Sequence, residues 1–295
     1  LLQLVTVLIL AAIAIYLLRR YCAGAVNNAK RDLSGSVIVI TGGTNGMGRL
    51  LVEQLADSGA KIISCSRNNE MANNVIQKIT EAHPDCTIRH IHCDLADLES
   101  VRACADEIMK DYDHIDILVN NAGVMMVPFG MTKQGYETHI GVNYIGHTLL
   151  TMKLLPLIEK VHGRVINYSS VASFFFTKKV MPFTSESEQY YPMLCYAESK
   201  LAMAMMAQEL SRRYPSITAV SLHPGCVRTS LWQHFPLAVR VLMYPILRVC
   251  FKSPQEGLQT VLHLVHSEDI KNGEYYADCA PHRHNPRMDE PETCN

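Results

Sequence analysis

The chain predicts an α/β fold: a doubly wound parallel sheet of about seven strands in a single domain, preceded by an N-terminal transmembrane helix. Three features of the 295 residues point there. Short β-branched apolar runs alternate with helical patterns, the first such run ends in a cluster of glycines, and the first eighteen residues are almost wholly apolar. The strand candidates are Val37–Ile40, Lys61–Cys65, Thr87–His92, Ile115–Val119, Gly163–Tyr168, Ile217–Leu222 and Glu274–Tyr276. Helical segments separate the first six. Such alternation requires crossover connections, hence a parallel sheet with helices on both faces. Ligands of such sheets bind beyond the carboxyl ends of the strands.

The run Leu1 to Leu18 carries only Gln3 and Thr6 as polar residues and is followed by Arg19-Arg20. As a helix it is about 27 Å long, close to the ~30 Å hydrocarbon core of a bilayer. A membrane anchor over 1–18 is expected, then a linker over 19–35. A cleaved signal peptide is the alternative, but no small-residue cleavage pattern leads into a secreted-type domain. The first residue is not Met, so the natural N-terminus is expected further upstream. Arg19, Arg20, Lys30 and Arg31 all follow the span, so the rest of the chain is expected on the cytosolic side.

Ser36-Val37-Ile38-Val39-Ile40 reads as a buried strand that runs into Thr41-Gly42-Gly43-Thr44-Asn45-Gly46-Met47-Gly48, and Leu50, Leu51 and Leu55 then follow helical spacing. Strand, glycine turn and helix together form a nucleotide-binding opening of Rossmann type. The glycines let the backbone approach a pyrophosphate, which sits against the free N–H groups and positive end of the helix. A plain tight turn is the alternative. At the end of the second strand, an acid would hold the ribose of NAD and an arginine would accommodate the phosphate of NADP. The residues are Cys65-Ser66-Arg67, with no acid before Glu70. NADP(H) is therefore expected over NAD(H), with Ser66 and Arg67 on the 2′-phosphate; a merely solvated Arg67 is the alternative.

Tyr196-Ala197-Glu198-Ser199-Lys200 sets a phenol and an ammonium at i and i+4, on one face of a helix. A free tyrosine ionises near pH ~10 and a nearby cation favours its phenolate. Lys200 is placed to lower the Tyr196 pKa. Many such pairs are only solvated surface pairs, and the rest of the chain has to decide.

Thr41-Gly42-x-x-x-Gly46-x-Gly48, Asp94-Leu95, Asn120-Asn121-Ala122-Gly123, Asn143, Ser169-Ser170, Tyr196-x-x-x-Lys200 and Pro224-Gly225 occur in the order of the short-chain dehydrogenase/reductase family, which the chain resembles from Ser36 to about Asp278. The three residues between Gly42 and Gly46 resemble its compact branch. Asn121-Ala122-Gly123-Val124-Met125-Met126-Val127-Pro128 and Asn143-Tyr144-Ile145-Gly146-His147 resemble its membrane-associated retinol-dehydrogenase-like subgroup. The resemblance implies a cofactor held by Gly42, Thr44, Asn45, Gly46, Met47, Gly48, Ser66, Arg67, Asp94, Leu95, Asn121, Ala122, Gly123, Tyr196, Lys200, Pro224, Gly225 and Val227. Within that set Asp94 would reach the adenine, and Pro224-Gly225 would bound the nicotinamide pocket.

Hydride transfer to or from an alcohol carbon needs an acid/base group within hydrogen-bond reach of the oxygen. Tyr196 is the candidate. Ser170 would donate a second hydrogen bond to that oxygen, and Lys200 would bind the nicotinamide ribose. By resemblance Asn143 completes a proton relay through a water. Ser170 is preferred to Ser169 because the family serine precedes an apolar and a small residue, here Val171-Ala172. The interval from Ser170 to Tyr196 is 26 residues, roughly twice the family's usual spacing, and holds Phe174-Phe175-Phe176, Lys178-Lys179 and Glu186-Ser187-Glu188. This insertion is expected to wall the substrate site, to contact membrane, or to pack under the loop. The apolar run Leu231–Phe251, with Arg240, Arg248 and Lys252, is expected to lie in a membrane interface, to roof the pocket, or to be a core helix.

Net charge −1 supplies no electrostatic case for nucleic acid. Ten cysteines without a C-x-x-C pair read as reduced thiols, and thirteen histidines without metal spacing give no metal site. The stretch 281–295, charged and Pro-rich, is expected to be a flexible tail. The implied partners are a lipophilic small molecule, such as a retinoid, polyprenoid or sterol, and the bilayer, with the endoplasmic reticulum as the membrane. A homo-oligomer is implied through the helices after the fourth and fifth strands. A noncatalytic nucleotide-binding redox sensor, or a scaffold of the same fold, remains the alternative.

Overall fold

The computed structural model describes residues 2–175, 190–228, 244 and 248–290. Eight strands form one sheet in the order β3-β2-β1-β4-β5-β6-β7-β8. They are β1 (Val37–Thr41), β2 (Lys61–Ser66), β3 (Thr87–His92), β4 (Ile117–Asn120), β5 (Arg164–Tyr168), β6 (Thr218–Leu222), β7 (Tyr275–Ala277) and β8 (Ala280–Pro281). All pairings are parallel except β7 with β8. Seven strands match the expected runs to within two residues at each end. β8 is an addition, too short for any periodicity to announce it.

Side chains alternate across the sheet, so each strand feeds both faces. Val37, Val39, Ile63, Leu118 and Val165 pack on one side beneath α4 (Leu98–Asp111), α6 (Gly146–Glu159) and α7 (Pro192–Arg213). Ile38, Ile40, Ile62, Val119 and Ile166 pack on the other against α2 (Gly46–Leu55), α3 (Asn69–Ala82) and α8 (Pro254–His266). Burial on both faces explains why these strands are continuous apolar runs. Each such side chain contributes about 1.5–3 kcal/mol.

Helix starts follow their caps. Asn68 accepts from Met71 N before α3, Asp97 accepts from Glu99 N before α4, and Ser253 with Glu256 forms a capping box on α8. α5 (Thr138–Ile140) runs through a π-helical turn (Gly141–Ile145) into α6.

α1 (Leu2–Ala23) passes Leu18 by five residues, into the stretch read as linker, and ends where Gly24 adopts φ +74°. None of its apolar span is buried in the protein, and it is long and apolar enough to cross a membrane. The expected flexible tail is corrected as far as residue 290. Asn285 caps a 3-10 turn (Pro286–Asp289) and donates through Nδ2 to Ser173 O at 2.6 Å, while Met288 packs on Leu201, Ala204 and Tyr275. Phe176, Lys178-Lys179, Glu186-Ser187-Glu188 and most of the run Leu231–Phe251 lie outside the described residues. The nine described cysteines are free thiols.

Candidate functional site

The strand order reverses between β1 and β4, and a cavity of ≈ 550 Å³ opens at their carboxyl ends. All the residues expected to hold a cofactor line it, from Gly42 to Val227. Gly42 takes φ +70°, which turns the chain out of β1 towards α2, and its N–H donates to Cys65 O of β2 at 2.7 Å. Asn45 caps α2 by accepting from Gly46 N at 2.7 Å. A Cβ on Gly48 would collide with the Gly42 carbonyl and the Asn121 amide, so this close approach requires glycine. Asp94 Oδ1 accepts from Ala96 N at 2.9 Å, and Asn121 Nδ2 donates to Thr41 O at 2.8 Å.

Ser66 and Arg67 occupy one rim. Ser66 Oγ is buried and has no hydrogen-bond partner among the described residues, and Arg67 is exposed. A free hydroxyl, an exposed guanidinium and no carboxylate before Glu70 suit a phosphate on this rim.

Tyr196, Ser170 and Lys200 meet at the other end of the cavity. Ser170 caps a 3-10 turn (Val171–Phe174) and its hydroxyl lies near the Tyr196 phenol. Ser169 instead donates to Lys200 O at 2.7 Å and is buried. Lys200 Nζ donates to Tyr168 O at 3.0 Å and lies 6.0 Å from the centre of the Tyr196 ring. Burial pulls Lys200 down to about 8. Burial also raises the Tyr196 phenol above its ordinary value, and the nearby Ser170 hydroxyl only partly opposes this. The expectation that Lys200 lowers the Tyr196 pKa is therefore corrected for the protein alone: desolvation wins, and Tyr196 keeps its proton at neutral pH.

Asn143 stands behind the cavity, fully buried in the π-helical turn. Its side chain accepts from Val124 N at 2.8 Å and donates to Val124 O at 3.0 Å and Ser199 Oγ at 2.9 Å. Its carbonyl accepts from His147 Nδ1 at 2.9 Å. A carbonyl only accepts, so Nδ1 carries the His147 proton and Nε2 accepts from Thr41 Oγ1, 2.9 Å away. Thr41 Oγ1 in turn accepts from Asn121 N at 2.9 Å and Ala122 N at 3.0 Å. Burial drives His147 down to about 3, so the ring stays neutral.

Thr41 and His147 were absent from the expected site; the only hint is that His147 follows Asn143 by one helical turn. A second cluster also escaped the sequence. Tyr190 donates to Val127 O at 2.8 Å beside the buried pair Glu137 and His139, whose Oε1 and Nδ1 are 2.7 Å apart. It fastens the end of the insertion to the loop before α5. The end of the cavity beside Tyr196 is apolar, with Met125, Val171, Ala172, Phe175 and Met193. Among the described residues no group of three His, Cys, Asp or Glu could hold a metal.

The short chain dehydrogenase family pattern matches residues 36–238. Human retinol dehydrogenase 11 is 35% identical over 270 residues, covering 89% of this chain and 83% of that protein. Mouse retinol dehydrogenase 14 is 35% identical over 301 residues, covering 94% and 90%. Among solved structures, a protein of Mycobacterium paratuberculosis superposes with TM-score 0.71 at 26% identity, over 90% of this chain and 91% of that one. A short chain dehydrogenase of Shigella flexneri complexed with NADP has the same fold, with TM-score 0.66 at 24% identity over 85% and 100%. The chain belongs to the short-chain dehydrogenase family, in its retinol-dehydrogenase-like subgroup, and is an NAD(P)-dependent oxidoreductase acting on CH–OH groups.

Proposed function

We propose that the protein is a membrane-anchored, NADP(H)-dependent oxidoreductase that interconverts a lipophilic alcohol with its aldehyde or ketone, of retinoid, polyprenoid or sterol-like kind. The observation that carries this reading is the convergence of Tyr196, Ser170 and Lys200 on the apolar end of a cavity whose other end is the glycine turn. The bound nicotinamide supplies or accepts the hydride. Tyr196 donates its phenolic proton to the carbonyl oxygen during reduction and withdraws it during oxidation. Ser170 donates a hydrogen bond to the same oxygen as charge develops there. Lys200 holds the nicotinamide ribose, and Asn143 keeps the relay to solvent in place.

Ser66 and Arg67 bind the 2′-phosphate, Asp94 the adenine, and Gly42 to Gly48 the pyrophosphate. The helix α1 holds the chain in the endoplasmic reticulum membrane with the catalytic domain on the cytosolic side. Its apolar span and the retinol dehydrogenase relatives support a substrate drawn from the bilayer.

The test is titration of the full chain, in detergent, with NADPH and NADH. Oxidation of the reduced nicotinamide is then followed with retinaldehyde and a polyprenal, alongside Tyr196→Phe and Arg67→Ala. Tighter NADPH binding that Arg67→Ala abolishes, and turnover lost in Tyr196→Phe, are expected. Preference for NADH overturns the NADP assignment. Cofactor binding without turnover on any lipid carbonyl leaves a noncatalytic sensor.

A further inference from the structure

α1 does not hang from a loose linker. Arg19 Nη2 reaches both carboxylate oxygens of Glu256, at 2.6 and 2.5 Å, in the first turn of α8. The Cys22 thiol lies near that of Cys250. Gly24 lies on the ion pair between Lys252 and Asp278; a Cβ there would stand 2.6 Å from Lys252 Nζ. Beyond it, Asn27 N donates to Gln259 Oε1 at 2.9 Å, and Leu33 is buried in the core cluster that also holds Leu258, Val261 and Leu262 of α8. The contacts at Glu256 and Gln259 follow chain order, so the segment runs alongside α8 and is pinned at two heights.

Lys252 also serves the cofactor pocket. Its N–H donates to Cys226 O at 2.8 Å and its carbonyl accepts from Arg228 N at 3.1 Å. A Cβ on Gly225 would meet Lys252 Cε at 3.1 Å. One buried side chain therefore touches the end of α1 with its ammonium and the turn at Gly225 with its methylenes.

We propose that α1 is a rigid stalk docked on the oxidoreductase domain, and that this docking holds the Gly225 side of the cofactor pocket against the lipid surface. The inference rests on the reading of α1 as a membrane anchor. Arg19 is the first residue past the apolar run, which puts the Arg19–Glu256 pair at the headgroups. Gly24 stands only about 7 Å further along the axis. A long apolar substrate can thus reach the pocket with its tail still in the bilayer.

The full chain in phosphatidylcholine vesicles is treated with dibromobimane, whose two bromides are each displaced by a thiol, and the joined peptides are identified by mass spectrometry. The wild type is expected to yield the Cys22–Cys250 adduct. Arg19→Glu and Gly24→Val should lower its yield about fivefold, the shift that loss of a partly exposed ion pair can exert. Glu256→Gln keeps the capping box and should act in the same direction. The same variants should raise KM for a vesicle-dissolved polyprenal and leave KM for a short water-soluble aldehyde unchanged. A chain that floats with the vesicles but gives no wild-type adduct overturns the docking. A chain that does not float with them overturns the anchor reading itself, and with it the lipid-facing half of the proposal.

Discussion

The Thr41 hydroxyl and the His147 ring lie 2.9 Å apart although 106 residues separate them in the chain. Through them the end of β1, the backbone of Asn121 and Ala122, and the carbonyl of Asn143 share one fully paired network. Replacing His147 by Phe removes both of its hydrogen bonds, at about 0.5–1.5 kcal/mol each, and leaves the Thr41 hydroxyl only the longer contact to Val119 O at 3.4 Å. The expected result is a raised KM for NADPH and a lowered kcat, with partial recovery of both in His147→Gln, which can still donate and accept. Equal loss in both variants would show that ring packing alone matters.

Acid lability should follow from two histidines. Burial drives His147 down to about 3, and burial with the neighbouring His282 drives His223 down to about 4. Both folded values lie below the unfolded value near ~6.5, so the unfolded chain binds the extra protons as pH falls. Stability from these groups is complete above pH ~6.5 and is lost as pH falls towards 4 and then 3, by up to about 1.4 kcal/mol per pH unit for each group. Urea midpoints measured from pH 7 to pH 4 should decline, and decline less steeply in His147→Gln. A slope the variant does not change would assign the effect to carboxylates elsewhere.

Lys200 should set an alkaline limit on cofactor binding. Burial brings its ammonium down to about 8, so it discharges above that pH in the free protein. NADPH affinity should fall about tenfold as pH rises through 8, the scale of losing one charge-assisted hydrogen bond. In Lys200→Met, affinity should be weaker and flat across the same range. A wild-type affinity that ignores pH would mean that Lys200 does not reach the ribose.

Two glycines of the same turn should respond differently to alanine. At Gly48 a Cβ meets backbone and an amide held by Thr41, neither of which can withdraw cheaply. Gly48→Ala should cost about 1–3 kcal/mol and abolish dinucleotide binding. At Gly46 nothing lies within 4 Å of a Cβ, and only φ +53° opposes it. Gly46→Ala should cost about 1–2 kcal/mol and leave weakened binding measurable. Thermal unfolding and NADPH titration of the two variants separate steric from conformational cost.

What could be read from the residues follows the range of the physics. Strands such as Val37–Thr41 declare themselves because burial on both faces demands an unbroken β-branched run. The residues lining the cavity come from turns after successive strands and from one face of α7, where spacing and residue type are local properties. The tie between Thr41 and His147 is long-range, and only the closed sheet brings the two together. The Tyr196 phenol was misjudged because spacing shows Lys200 nearby and cannot show that desolvation is larger. The stretch from Pro281 looked solvated by composition, yet Asn285 and Met288 find partners in Ser173 and Tyr275, which no window of sequence around them contains.

Those late residues matter to the order in which the molecule is made. Ser173 belongs to the turn that begins with the Ser170 cap, and Asn285 closes over it from 112 positions further along the chain. During translation α1 leaves the ribosome before that turn and, if it is the proposed anchor, engages a membrane while the turn still lacks its cover. The nascent chain would therefore be committed to its location well before it could become an enzyme.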